Sequence, residues 1–213
     1  MAREFMLQLA FLILTLSILY VVHNLRKRPP QLRFRNRTRD NHQSNRHLVQ
    51  GSRLLARARS ISQRPQTMAH ARNAIIEADQ ALSLSPRDPA AHILKALALD
   101  LMGHRTAALR SMDSALSTPH VKSLSAAEHV DALVKRAELK LAVNRRRRVD
   151  SAVEDLVEAV RLSEGRNTAA LCSLGECYEW KEMKEKAKEA FQRALDLEPE
   201  SVKAHNGLDR LGP

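Results

Sequence analysis

Residues 171–199, LCSLGECYEWKEMKEKAKEAFQRALDLEP, place small and large apolar side chains at helical spacing in two consecutive segments. The first segment has one apolar face, formed by Leu171, Leu174, Gly175 and Tyr178. The second segment has another, formed by Ala187, Phe191 and Ala194, and Pro199 follows it. Small residues on such a face allow a neighbouring helix to approach closely, and Phe191 can fill the space between. The stretch therefore predicts a pair of packed helices.

The spacing L-x2-L-G-x2-Y followed by A-x3-F-x2-A-x4-P resembles the signature of the tetratricopeptide repeat (TPR), with Leu171 in place of the usual Trp. The unit runs from Thr168 to Ser201, at the period of about 34 residues typical of this repeat. The resemblance implies an all-α solenoid, in which each helical hairpin buries its apolar face against the next. First helices of such repeats line a concave groove.

The same small-apolar spacing recurs upstream, in sets that begin at Ala74, Ala108 and Ala152. We therefore predict about four repeats, near residues 45–86, 89–120, 124–164 and 168–201, within a TPR domain at 45–213, and a capping helix at 202–211. The third set starts 44 residues after the second, which is more than one repeat. We assign the extra residues to the stretch 120–125 and to a turn at Arg145–Arg148.

Composition is consistent with helices packed through small side chains, since only 3% of residues are aromatic and six are glycine. The net charge of +11 is concentrated at the N-terminus, where residues 1–50 hold nine Lys or Arg against two Asp or Glu. In the rest of the chain, the run Arg145–Arg148 accounts for the excess. Such a run is typical of a solvated turn or of a contact with acidic lipid or an acidic partner, and it is weak as a nucleic-acid motif.

No motif of the chain predicts catalysis or a cofactor. The sequence contains no GxxxxGK phosphate loop, no HExxH and no GxSxG, and none of its nine histidines lies four residues from another. Cys172 and Cys177 have no matching Cys/His pair, so we expect buried thiols in a reducing compartment. We expect a protein that is not an enzyme and that holds neither metal nor cofactor.

Residues 5–22, FMLQLAFLILTLSILYVV, contain no charged side chain. As a helix they would extend about 27 Å, close to the roughly 30 Å of a bilayer's hydrocarbon core. A cleaved signal peptide is an alternative, but residues 1–4 are nearly neutral and no small-x-small cleavage site follows the apolar run. A buried core helix is a third interpretation. We predict a retained transmembrane anchor, preceded by a short non-cytosolic tail at 1–4.

The charges beside this segment predict its orientation. Arg3 and Glu4 balance before it, whereas seven Lys or Arg lie at 26–39, so the positive-inside rule places the C-terminal domain in the cytosol. Such an anchor resembles those of signal-anchored proteins of the endoplasmic reticulum and of organelle outer membranes. We predict a disordered basic linker at 23–44, whose residues 26–39 could lie on anionic headgroups. Asn36-Arg37-Thr38 would be glycosylated only on the luminal side.

Several first-helix residues are expected to face the groove. The candidate groove residues are Asp100, Asp131, Val134, Glu138, Glu176, Glu179 and Trp180. Ile93 and Leu141 lie between them and would add apolar contacts. An acidic groove with apolar patches would suit a basic or apolar peptide, such as an amphipathic helix. The alternative is that these carboxylates are solvated helix residues paired with Lys or Arg one turn away.

TPR proteins that bind the acidic tails of chaperones have Lys and Asn four apart in one first helix, Asn in the next, and Lys and Arg in the third. The matching positions here hold Leu48 and Ser52, then Leu94, then Asp131 and Lys135. The resemblance therefore implies a protein-binding adaptor or scaffold without the chaperone-tail clamp. The alternative function is a soluble or secreted basic helical-repeat protein that binds nucleic acid or acidic partners after losing its N-terminal segment.

Overall fold

The computed structural model describes the backbone of residues 30–117 and 121–212, and the side chains from residue 41 onward within those ranges, except that of Lys122. That part of the chain is all helical and contains no strand. Its helices are α1 (Pro30–Ser60), α2 (Arg64–Leu84), α3 (Pro89–Leu101), α4 (Arg105–Ser117), α5 (Ala126–Leu162), α6 (Thr168–Trp180), α7 (Lys184–Leu197) and α8 (Val202–Leu211). A single 3-10 turn, Val121–Ser123, precedes α5. The predicted all-α class is confirmed for these residues.

Local sequence fixes where three of these helices begin. Asp88 precedes α3, and its side chain accepts a hydrogen bond from the Ala90 amide at 3.0 Å, with Pro89 in the first helical turn. Ser125 forms a capping box with Glu128 at the start of α5. Asn167 caps α6 by accepting from the Ala170 amide at 2.8 Å. Each side chain satisfies a backbone donor that would otherwise lack a partner at a helix start.

Helix α5 is two helices joined at one residue. Asn144 has φ −160° and ψ 92°, outside the helical region, while the residues on either side are helical. The first part, 126–143, is longer than α3 and α6, which have 13 residues each. Arg145–Arg148 therefore form the first turn of the second part. The sequence had predicted that they lie in a turn between two helices, and that prediction is wrong. Part of the extra length of this repeat is therefore helical, because the first part of α5 is longer than the first helices of the neighbouring repeats.

The described helices pack in four antiparallel pairs, each of which packs on the next: α1 with α2, α3 with α4, the first part of α5 with the second, and α6 with α7. Alanine is the commonest buried residue, and the second helices of the pairs contribute the series Ala74, Ala78, Ala81, Ala108, Ala115, Ala152, Ala159, Ala187 and Ala194. Small side chains let these helices lie close together, so the core is built without many aromatic residues. Helix α1 joins the solenoid through Ser44 and His47, which contact Ala81 and Glu77 of α2.

Phe191 of α7 is the largest fully buried side chain of the described chain, and it packs between two glycines. A Cβ atom on Gly175 of α6 would lie 2.6 Å from the ring, and one on Gly207 of α8 would lie 2.5 Å from it. No real side chain fits at those distances, so both helices approach as closely as their backbones allow. The signature residues Leu171, Ala187 and Ala194 are buried in the same cluster.

The third helical pair has a buried ion cluster. Asp155 is only 5% exposed, and it accepts two hydrogen bonds from the Arg136 guanidinium, at 2.9 and 2.6 Å. The Lys140 ammonium lies 2.7 Å from the same carboxylate and also donates to the Ser151 carbonyl. A carboxylate removed from water needs such partners, because an unpaired buried charge is strongly unfavourable. The cluster therefore ties the two parts of α5 together across the Asn144 break.

The N-terminal predictions have different outcomes. Residues Met1–His42 form a unit separate from the solenoid unit, Gln43–Pro213. The predicted linker at 23–44 was expected to be disordered, but the backbone is helical from Pro30 onward. Pro30 suits the first helical position, and no proline follows it until after Ser60 to interrupt the helix.

The predicted anchor at 5–22 lies outside the described residues. Among the described residues, no helix is long and apolar enough to cross a membrane.

Substituting Gly175→Ala tests the contact with Phe191. The ring cannot move away from Gly175 without meeting Gly207, so we expect overpacking that costs about 1–3 kcal/mol, partly offset by about 1 kcal/mol of helix propensity. Chemical denaturation should therefore show that the free energy of unfolding falls by a net amount on the order of 1 kcal/mol. Glu176→Ala, at an exposed position of the same helix, is the matched control. In a Phe191→Leu background the Gly175→Ala penalty should shrink; a penalty of the same size there would contradict the proposed contact.

Candidate functional site

A surface cavity of about 500 Å³ lies where the two parts of α5 meet α6 and α8. Its lining residues are Leu141, Arg145, Val149, Glu176, Cys177, Glu179, Trp180 and Arg210. Leu141 and Val149 flank the Asn144 break, so the extended third helical pair supplies one wall. The end of α6 supplies the opposite wall. Three of the predicted groove residues, Glu176, Glu179 and Trp180, thus come together in one place.

Trp180 is the only tryptophan of the chain and is 42% exposed, which is unusual for so large an apolar side chain. It is the last residue of α6, whose position is fixed by the buried residues Leu171 and Cys172 earlier in the helix. A rigid aromatic side chain that is held at the edge of a cavity can contact a ligand at little entropic cost. Trp180 is therefore the main apolar contact that this site offers.

Glu179 is held in place by the capping helix. The guanidinium of Arg210 in α8 donates two hydrogen bonds to its carboxylate, at 2.8 and 2.6 Å. These hydrogen bonds lower the pKa of Glu179, which outweighs the opposing effect of its partial burial. A bidentate pair of this kind fixes both side chains in one geometry. The pair therefore makes α8 a part of the cavity wall.

Glu176 differs from Glu179 because it is exposed and, in the part of the chain that the structure describes, no Lys or Arg lies within 4.0 Å of its carboxylate. Arg145 lies on the other wall of the cavity. The formal charges of the lining therefore balance, with Arg145 and Arg210 against Glu176 and Glu179. A neutral cavity with an aromatic edge and one unpaired carboxylate can hold an apolar side chain beside a hydrogen-bond donor.

The remaining predicted groove residues do not line this cavity. Lys135 lies 2.8 Å from the Asp100 carboxylate of α3 and 3.0 Å from that of Glu138. Burial works to lower the pKa of Lys135, but its hydrogen bonds to the two carboxylates outweigh burial and raise the pKa. Asp131 is exposed on α5. Val134 is 8% exposed and packs in the core with Leu133 and Leu174, so it offers no surface to a ligand, contrary to the prediction.

The predicted acidic character of the groove also changes. Asp100, Glu138 and Glu179 are paired with Lys135 or Arg210, and two of these pairs join different helices. The sequence interpretation considered pairing within one helical turn, which describes only the pair Lys135–Glu138. It missed Arg145, Val149, Cys177 and Arg210 as lining residues. The helical face of Val149 was visible in the sequence, but the approach of Arg210 depends on how α8 packs.

A second cavity, of about 310 Å³, lies between the second part of α5 and α7. Val157 is exposed at its wall, and the signature residue Tyr178 lines it. The Lys186 ammonium lies 5.8 Å from the centre of the Tyr178 ring, a cation–π contact. The sequence did not predict a site here, because the second helices of the repeats face away from the expected groove.

Within the described residues, no group of three or more His, Cys, Asp or Glu side chains could hold a metal ion. Cys172 and Cys177 are buried free thiols. Burial raises the pKa of both, and that of Cys177 reaches about 11. A thiol with so high a pKa remains protonated near neutral pH and is a poor nucleophile.

The family profile of the tetratricopeptide repeat matches residues 168–201 of the chain. A comparison with curated proteins finds no match. Together with the stacked helical pairs, the matched repeat defines the class of this protein as a TPR-like helical solenoid. This is the repeat that the spacing from Leu171 to Pro199 predicted.

Solved structures share the fold. The chain is similar to the crystal structure of MamA protein, with a TM-score of 0.63 and 14% identity over 80% of this chain and 81% of that one. It is also similar to MamA 41-end from Desulfovibrio magneticus RS-1, with a TM-score of 0.57 and 25% identity over 74% of this chain and 83% of that one. YrrB, a TPR protein with an unusual peptide-binding site, gives a TM-score of 0.52 and 18% identity over 74% and 82% of the respective chains.

Alkylation tests the burial of the two thiols. Because the pKa of Cys177 lies near 11, the folded chain at pH 9 keeps this group protonated, whereas an unfolded thiol with the ordinary value of 9.0 is half ionised. We therefore expect iodoacetamide at pH 9 to label the folded chain slowly and the chain in guanidinium rapidly, at both cysteines. Mass spectrometry of the labelled peptides measures each rate. Rapid labelling of Cys177 in the folded state would contradict its assigned environment.

Proposed function

We propose that this chain is a protein-binding adaptor whose cavity at Trp180 receives a segment of a partner protein. The observation that carries the proposal is the exposed tryptophan at the edge of a preformed cavity, next to the unpaired carboxylate of Glu176. Tryptophan is among the residues that contribute most to binding energy at protein interfaces. The TPR-like fold supports the proposal, since YrrB, which shares it, has a peptide-binding site.

The proposed mechanism is binding without catalysis. An apolar side chain of the partner would pack on Trp180 and against Leu141, and a donor group would reach Glu176. The hydrogen-bonded pair Glu179–Arg210 holds one wall of the cavity in place. Binding a partner there therefore costs little conformational entropy in the wall. The chain has no sequence motif of a nucleotide-binding or hydrolytic site, which supports a role in assembly.

We further propose that residues 5–22 anchor the adaptor in a membrane, with the solenoid on the cytosolic side. The support comes from the sequence: an uncharged run of spanning length, followed by basic residues at 26–39. The endoplasmic reticulum or an organelle outer membrane would suit so short an anchor. Anchoring would raise the effective concentration of a bound partner at that membrane.

Replacing Trp180 and Glu176 tests the proposed binding site. We expect Trp180→Ala to weaken partner binding by at least about tenfold, as loss of a central aromatic contact does at protein interfaces. Quantitative mass spectrometry of proteins that copurify with the full-length chain measures the change. Glu176→Lys should deplete the same partners, because it replaces the unpaired carboxylate with a cation.

Glu154→Lys is the matched control, since it makes the same charge change at an exposed position of α5 that does not line the cavity. A partner set that is the same for Trp180→Ala, Glu176→Lys and the control would overturn the proposed site. Circular dichroism of each variant establishes that the solenoid remains folded.

Alkaline carbonate extraction tests the anchor. The full-length chain should remain with the membrane pellet, because a spanning helix is not released when peripheral contacts are broken. A variant with Leu12→Arg and Leu14→Arg should be released, since charge at the centre of the segment opposes insertion. Glycosylation at Asn36 would show that the predicted orientation is reversed, and release of the unaltered chain would refute the anchor itself.

A further inference from the structure

The run Arg145–Arg148 differs from the other cations near the cavity. All four side chains are exposed, and among the described residues none has a carboxylate within 4.0 Å. The neighbouring cations are each paired with at least one carboxylate: Lys135, Arg136, Lys140, Lys181 and Arg210. The four arginines are therefore consecutive cations without a carboxylate partner, and the first of them lines the cavity.

The position of the run is electrostatically unfavourable within the fold. The four cations occupy the first turn of a helix, whose N-terminal end already has a partial positive charge. They also repel one another. The Asn144 side chain, which accepts from the Arg147 amide at 3.1 Å, is a neutral cap and does not offset this charge. Since no carboxylate of the described residues pairs with the run, its positive charge is available to an anionic group of another molecule.

Helical spacing gives the four arginines different positions relative to the cavity. Arg145 and Val149 both line it. At about 100° per residue, Arg146 and Arg148 flank this face at equal angles, one on each side, and Arg147 lies on the opposite side of the helix. A segment bound in the cavity could therefore pass over Arg145, beside Arg146 or Arg148, as it leaves.

We propose that the partner segment is acidic next to the residue that enters the cavity, and that its carboxylates bind Arg145 and the arginines that flank it. The cavity lining itself is neutral, so the charge that selects the partner lies on this rim. Adjacent guanidinium groups at the rim suit the carboxylates of an extended peptide. This differs from the basic or apolar peptide that the sequence predicted, because Lys135 and Arg210 neutralise most of the carboxylates. The inference rests on the proposed binding function of the cavity.

Selection from a random peptide library, displayed on phage, tests the inference with the full-length chain in a neutral detergent. We expect the selected peptides to be enriched in Asp and Glu beside an apolar residue. Synthetic copies without tryptophan are then titrated at physiological ionic strength, where the fluorescence of Trp180 reports occupancy. Arg145→Ala should weaken the acidic peptides by about tenfold or more, through loss of charge-assisted hydrogen bonds.

Arg147→Ala is the matched control, with the same charge change on the side of the helix away from the cavity. It should change affinity by no more than about threefold, because exposed charges beyond the contact are largely screened. Equal losses in the two variants, or selected peptides that are not acidic, would overturn this inference and leave the binding site in place. If no selected peptide changes the fluorescence of Trp180, the proposed function fails as well. Displacement of the acidic peptides by a single-stranded oligonucleotide that binds more tightly would assign the run to nucleic acid and overturn the proposal.

Discussion

The packing of Phe191 between Gly175 and Gly207 is the contact on which the C-terminal half of the solenoid depends. The ring of Phe191 is fully buried, and each glycine approaches it so closely that a methyl group would not fit. One side chain therefore sets the distance of α7 from both α6 and α8. The position of α8 in turn brings Arg210 to Glu179, which completes the wall of the cavity. The candidate site is thus a consequence of core packing around α7, which lies against both α6 and α8.

Ion pairing between helices determines the charge of the surface that a partner would meet. Sequence alone placed several carboxylates on the first helices, and in the folded solenoid Asp100, Glu138 and Glu179 are paired with Lys135 or Arg210. Lys135 reaches Asp100 of another repeat, and Arg210 reaches Glu179 from the capping helix. Exposed pairs of this kind contribute little to stability. Their effect is to leave Glu176 and the arginine run as the unpaired charges around the cavity.

The third helical pair, formed by the two parts of α5, makes the array of repeats irregular. The first part of α5 continues past the length of α3 and α6, and the chain reverses at Asn144 without a loop. Buried Asp155 joins the two parts through Arg136 and Lys140, so the break is held by charge as well as by apolar packing. The added residues include Leu141, and the cavity forms beside it. A regular array of equal repeats would not have this wall.

The sequence by itself determined the helical class, the repeat at 168–201 and the small residues of the core, because helical periodicity and side-chain size are local properties. It also indicated Glu176, Glu179 and Trp180 as candidate site residues. Only the tertiary structure decided that Val134 is buried, that Arg145–Arg148 begin a helix, and that Arg210 pairs with Glu179. These features depend on how distant helices stack, and no spacing within one helix encodes the contacts between residues that lie some thirty positions or more apart.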